Sequence, residues 1–212
     1  MLKLCLVGGA AVVALAVATS ASAHNGLDLK EAYAGYSTPM VVSVNHGCKG
    51  APVIGFRLKV PEGITDARAA FDPAWDISYK MRKVDKPFQA HGTTITEVVD
   101  EIEWKNPVKV VPADGWYPFR FKMTIPETPN KVLHVRNITV CEGGKTDPYI
   151  DMPKEELKVE DPDFAKKAWD FIIATPTPAP FLVIRQAPKK QQPWEWTPEQ
   201  AKGGNSQEAM AK

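Results

Sequence analysis

Cysteine is scarce in this chain, with three among 212 residues and no C-x-x-C pair, which argues against a cysteine-ligated metal site. The four histidines, His24, His46, His91 and His134, are equally scattered, and no two have the short spacing of a zinc site. No G-x-S-x-G, P-loop or G-x-G-x-x-G occurs, so no activated serine or phosphate cradle announces itself and the chain is not expected to be an enzyme. Charge of one sign is also missing. Lysine and arginine number 26 against 25 aspartate and glutamate, a balance that does not attract a nucleic-acid backbone or an anionic membrane. Internal repeats are absent. No apolar run reaches the roughly 20 residues that a bilayer span requires.

What is present begins at the amino terminus. Lys3 precedes an apolar stretch from Leu4 to Ala18, and Ala21-Ser22-Ala23 follows. A charged start, a short apolar core and an A-x-A end describe a secretory signal peptide over residues 1–23. The mature protein is then expected to be exported, periplasmic or extracellular, with His24 as its first residue. Cleavage would place a primary amine and an imidazole on one residue, a two-nitrogen chelate suited to Cu(II). Cys5 leaves with the leader. Cys48 and Cys141 remain as an even pair in an oxidising compartment, where a disulfide is the natural outcome.

Residues 40–141 alternate with a period of two. Ile54, Phe56, Leu58 and Val60 form one apolar set, Trp75, Ile77, Tyr79 and Met81 a second, and Tyr117, Phe119, Phe121, Met123 and Ile125 a third. Each pattern predicts a strand with one face in a core. Pro118 places its strand at a beginning or an edge. Leu133–Cys141 changes phase near Asn137, which predicts a bulge. Asn137-Ile138-Thr139 is also a glycosylation triplet, meaningful only in a eukaryotic secretory path. About seven short strands with regular turn signals predict an all-β, antiparallel sandwich of immunoglobulin or cupredoxin type with one disulfide. Met40, Met81, Met123 and Met152 read as core residues spread over these strands. His46, His91 and His134 read as structural or surface residues.

Beyond the sandwich, Asp161-Pro162 reads as a helix opening, and Phe164, Ala168, Phe171 and Ile172 recur at helical spacing as far as Ala174. Residues 154–174 are thus a linker and helix. From 175 to 212 the Pro-, Gln- and Lys-rich sequence predicts a disordered tail. Trp194 and Trp196 are unusual in such a tail and suggest a short docking motif.

Several segments, taken in order, resemble the YcnI-like copper-binding domains of exported bacterial proteins. His24 takes the place of that family's first mature residue. Asn45-His46-Gly47-Cys48-Lys49-Gly50-Ala51-Pro52 resembles its P-H-G-C-x-G-S/A-P stretch, and Leu58-Lys59-Val60-Pro61-Glu62-Gly63 its V-x-I-P-E-G strand end. Pro73-Ala74-Trp75, His91 to Glu97 and Glu101-Ile102-Glu103-Trp104 follow in step. Cys141-Glu142-Gly143-Gly144 and Tyr149-Ile150-Asp151-Met152-Pro153 close the match, which spans roughly residues 24–153.

The resemblance implies a β-sandwich that binds one copper ion through the amine and ring of His24 and a carboxylate, with an indole packed beside the site. The best match for the carboxylate is Asp114, in Pro112-Ala113-Asp114-Gly115-Trp116, which reads equally as a turn residue. Glu142 and Glu97 are the reserves. Two positions depart from the family. Asn25 follows His24 where Val or Ala is usual, and Tyr149 replaces the family's Trp, so Trp116 is a second candidate for the supporting ring. A nitrogen and oxygen donor set favours Cu(II) over Cu(I). The expected role is copper chaperoning, storage or trafficking, with another exported copper protein as partner. A copper-dependent oxidative enzyme and a metal-free immunoglobulin-like interaction domain are the alternatives.

Overall fold

Twelve strands, one α-helix and a short 3-10 turn form within residues 24–90, 92–108 and 111–188, the part of the chain that the computed structural model describes. The expected signal peptide, His91 and the tail beyond residue 188 lie outside these residues. In chain order the elements are β1 (Gly26–Leu27), β2 (Glu31–Tyr33), β3 (Ser37–Val44), β4 (Val53–Lys59), β5 (Ala67–Ala69), β6 (Asp76–Ala90) and β7 (Thr93–Lys105). They continue with β8 (Tyr117–Thr124), β9 (Val132–His134), β10 (Asn137–Cys141), β11 (Thr146–Tyr149), α1 (Phe164–Ala174) and β12 (Phe181–Arg185).

Two antiparallel sheets carry the core. One has the order β1-β3-β8-β5 and the other β11-β10-β4-β7-β6. The alternation of β8 buries Phe119, Phe121 and Met123, with Ile125 just beyond its end, against Phe56, Leu58, Ile102 and Trp104 of the other sheet. Phe56 and Phe119 stack across the gap with centroids 4.3 Å apart. Cys48 and Cys141 are bonded and fully buried. This is the expected sandwich, and the disulfide is compatible with an oxidising compartment. Among the described residues no helix is long and apolar enough to cross a membrane.

Four local expectations change. First, Tyr79 and Met81 do not reach the core and are largely exposed. Their strand, β6, is the sheet edge, and the opposing sheet ends at the three-residue β5. Tyr79 instead accepts a hydrogen bond at its hydroxyl from the Ala69 backbone N–H, 3.2 Å away. Met152 is also exposed, while Met40 and Met123 are core.

Second, the phase change near Asn137 is a switch of sheet. β9 and β10 belong to different sheets, and the register shift of β10 comes later, between Val140 and Cys141. Asn137 is buried and hydrogen-bonded, which removes it as a glycan acceptor.

Third, the helix begins after Asp163. The Asp161 carboxylate is taken by the Lys167 ammonium at 2.8 Å, and the chain turns between Lys158 and Phe164 before helical bonding starts.

Fourth, the predicted disordered tail contains β12. Leu182, Val183 and Ile184 are buried, and β12 pairs in parallel with β2 and antiparallel with β9. A short apolar run inside a Pro-rich segment suffices once two strands accept it. Pro118 lies one residue into β8, before the stretch from Phe121 that β5 covers, so its missing N–H falls at a strand beginning.

His134 of β9 is set against the rings of Phe181 and Phe171, at 5.3 and 6.1 Å. Burial pushes its imidazole below the ordinary range, with a backbone contact to Ala179 offsetting part of this. The folded state therefore holds the neutral ring, and the unfolded chain takes up the proton first as pH falls through about 6.5. This contribution is present above that pH and lost below it. Urea midpoints measured at pH 7.5 and 5.5 are expected to fall less for His134→Gln than for the parent. An equal fall in both would contradict the assignment.

Candidate functional site

The segment opening at His24 is fastened at several points. β1 pairs with β3, Gly26 opposite Ser43 and Leu27 opposite Val42. Asn45, just past β3, donates from Nδ2 to the backbone oxygen of His24 at 3.0 Å. Asn25 is 4 % exposed. Its Nδ2 donates to Asn137 Oδ1 at 2.8 Å and to Thr139 Oγ1 at 3.0 Å, and Asn137 in turn donates to the Val135 carbonyl at 3.1 Å. A buried amide with its partners in place fixes the chain one residue from the imidazole.

The imidazole of His24 meets Tyr149 edge to face, with centroids 6.3 Å apart and planes at 80°. Tyr149 stands opposite Asn137 in the sheet, and Asp147 opposite Thr139. Asp147 and Tyr149 are two residues apart on β11 and share a face. The Tyr149 phenol is pushed up to about 12, first by burial and then by the negative charge of Asp147. It is neutral at any ordinary pH.

Asp114 lies in an exposed turn closed by Gly115 N–H on the Pro112 carbonyl at 2.8 Å. The same turn is tied to the loop after β3, where Gly47 N–H donates to Ala113 O at 2.8 Å. Gly47 has to be glycine, because a Cβ there would lie 1.9 Å from the Ala51 carbonyl oxygen. Asp114 and His24 are thus attached to one loop, residues 45–47. His46 holds its Nδ1 3.0 Å from the Gly47 carbonyl.

Of the reserves, Glu142 is exposed in the 3-10 turn next to Cys141. Glu97 projects from the β6–β7 hairpin, opposite Lys83. β10 and β4 separate β7 from β11, roughly 14 Å at the usual strand spacing, so Glu97 is not brought to Tyr149. Trp116 is 60 % exposed, and the ring that meets His24 is Tyr149.

Among the described residues no three His, Cys, Asp or Glu side chains cluster as a metal cage. His24 offers one imidazole and the backbone nitrogen of the same residue, while the carboxylates lie on neighbouring elements, Asp147 on the face of β11 that carries Tyr149 and Asp114 on the turn tied to residues 45–47. That mixed nitrogen and oxygen chemistry fits Cu(II) once the nitrogen is an amine. Asp147 and the Asn25–Asn137–Thr139 cluster were not nominated from the sequence. Only the period-two relation of Asp147 to Tyr149 hinted at the first, and nothing hinted at the second.

Removing the clamp has a measurable cost. Asn25→Ala leaves buried Asn137 and Thr139 oxygens without their donor, at about 1–3 kcal/mol. The urea midpoint should fall with unchanged slope. A midpoint equal to the parent's would mean that water replaces the amide freely.

The geometry defines an immunoglobulin-like β-sandwich with a fastened amino-terminal segment at the edge of one sheet. A solved structure described as an uncharacterised protein from Nocardia farcinica with an immunoglobulin-like fold is similar, at a TM-score of 0.54 and 16% identity over 77% of this chain and 99% of that one. That likeness concerns the fold alone. The family described as a domain of unknown function (DUF1775) matches residues 24–165, and the chain belongs to this family, the YcnI-like domains. No curated protein matches the chain.

Proposed function

We propose that the protein is an exported Cu(II)-binding module that holds one ion and stores it or hands it to another exported protein. Cleavage after Ala23 would free the His24 amine. Amine and imidazole then chelate, and a carboxylate supplies the oxygen donor. Asp147 is the stronger candidate because it shares a face of β11 with Tyr149, the ring that meets His24, and stands opposite Thr139, which holds Asn25. Asp114 is the second, on the turn tied to the loop that holds His24.

The observation that carries this reading is the fastening of His24 through Asn25 and Asn45. Ordering a terminal residue costs conformational entropy, and a preorganised chelate is a use for that cost. The family match opening at residue 24 supports the same starting point. A replacement of the family's Trp by Tyr149 leaves an aromatic edge against the imidazole and a neutral phenol.

Electron paramagnetic resonance of Cu(II) bound to protein that begins at His24 tests the proposal. Coupling to two nitrogens is expected, from amine and ring. A spectrum with oxygen donors only would exclude the terminal chelate.

A further inference from the structure

A cleft of about 520 Å³ opens beside His24, between the amino-terminal segment, α1 and β12. Its walls are apolar, with Trp169 and Ile172 from α1 facing Phe181 and Pro180. Trp169 is 62 % exposed, and Phe164, Ile172 and Phe181 are partly exposed beside it. Large exposed apolar side chains gathered around one concavity mark a surface built to be covered. Lys30 and Arg185 stand on its rim, where Glu31 neutralises Arg185 at 2.8 Å. One positive charge is left over.

The chain itself supplies an occupant. Arg185 lines the cleft and is the last residue of β12, so the tail departs from the rim. Nine residues later comes Trp194-Glu195-Trp196. Extended, that stretch spans up to about 30 Å, at 3.3–3.6 Å per residue, ample to return into a cleft that begins where it starts. A short tether makes closure cheap in entropy. Each indole can bury roughly 150–250 Å², and the glutamate between them matches the surplus cation.

We infer that Trp194-Glu195-Trp196 folds back into the cleft formed by α1, β12 and the amino-terminal segment. The indoles pack against Trp169, Ile172 and Phe181, and Glu195 lies at Lys30. This packing does not depend on what His24 binds, and it is tested without metal.

The measurement is nuclear magnetic resonance on metal-free protein from His24 to Lys212, beside the same chain carrying W194A and W196A. Nuclear Overhauser contacts between the Trp194 or Trp196 rings and the Ile172 methyls are expected in the parent. The Trp169 indole N–H should move in the variant, by the same amount at every protein concentration, while the core indole of Trp104 stays in place. Absence of the contacts overturns the inference. So does a Trp169 shift that disappears on dilution together with self-association, because the occupant is then a second copy. An unchanged Trp169 that responds only to an added partner overturns it as well.

Discussion

Placing one residue ahead of His24 is expected to weaken Cu(II) binding by more than the roughly 10–100-fold that loss of a supporting outer group costs a metal site, because it removes a direct donor. The extended protein keeps the imidazole, Tyr149 and both candidate carboxylates. It loses only the amine, which becomes an amide. Protein starting at His24 and protein with one added alanine, titrated with Cu(II) against a competing chelator, isolate that single change.

The proton linkage gives a second signature. A free α-amine titrates at about 7.7–8.0 and must be deprotonated to bind. Affinity should therefore fall as pH drops through neutrality in the protein starting at His24, and the slope should be shallower in the extended one. Equal dissociation constants and equal pH slopes would remove the chelate from consideration.

The contrast between β8 and β6 explains how much of the fold was readable in advance. Both show five or more residues of strict alternation. In β8 it means burial, because β3 and β5 flank it and the other sheet faces it. In β6 it holds only at the start, where Ile77 packs on the core, because the opposing sheet ends at the short β5 and leaves Tyr79 and Met81 largely exposed. Period two reports a strand and leaves open whether a second layer exists. β12 failed in the opposite direction. Its apolar residues sit between prolines and suggest a tail, and only β2 and β9, distant in sequence, give them somewhere to pair.

The same distinction runs through the site. His24 drew attention because the pattern that reads as a cleavage signal is local. The Cys48–Cys141 pairing was legible by elimination. The Asn25 clamp was not, since its partners Asn137 and Thr139 lie more than a hundred residues away, and a buried amide looks like any other asparagine until the sheet is assembled. Asp147 gained its place through Tyr149, whose own role came from a resemblance in which the residue differs.

Removing the disulfide is expected to be the most damaging change to stability. Cys48 and Cys141 close a loop of 93 residues, and the chain-entropy model gives about 4–5 kcal/mol for a loop of that order. Whole domains are stable by about 5–15 kcal/mol, so a C48A/C141A chain should keep only a fraction of the parent's margin. At roughly 2–4 °C per kcal/mol for a domain of this size, Tm should drop by about 10–20 °C. Scanning calorimetry on both proteins, without reductant, measures it. A drop below about 2 °C would mean that the packing holds the two ends together unaided.

The bond joins the loop after β3 to the end of β10, and these strands belong to different sheets. It also touches the clamp, because Cys48 N–H donates to Cys141 Sγ at 2.9 Å and Cys48 Sγ lies 3.7 Å from the Thr139 carbonyl oxygen. Thr139 holds Asn25, and Asn25 holds the residue after His24. Loss of the disulfide should therefore loosen the amino-terminal segment before the core, visible as faster hydrogen exchange at Gly26 and Leu27 than at Phe56 or Phe119 under native conditions. Uniform acceleration across all four would place the effect in the unfolded state alone.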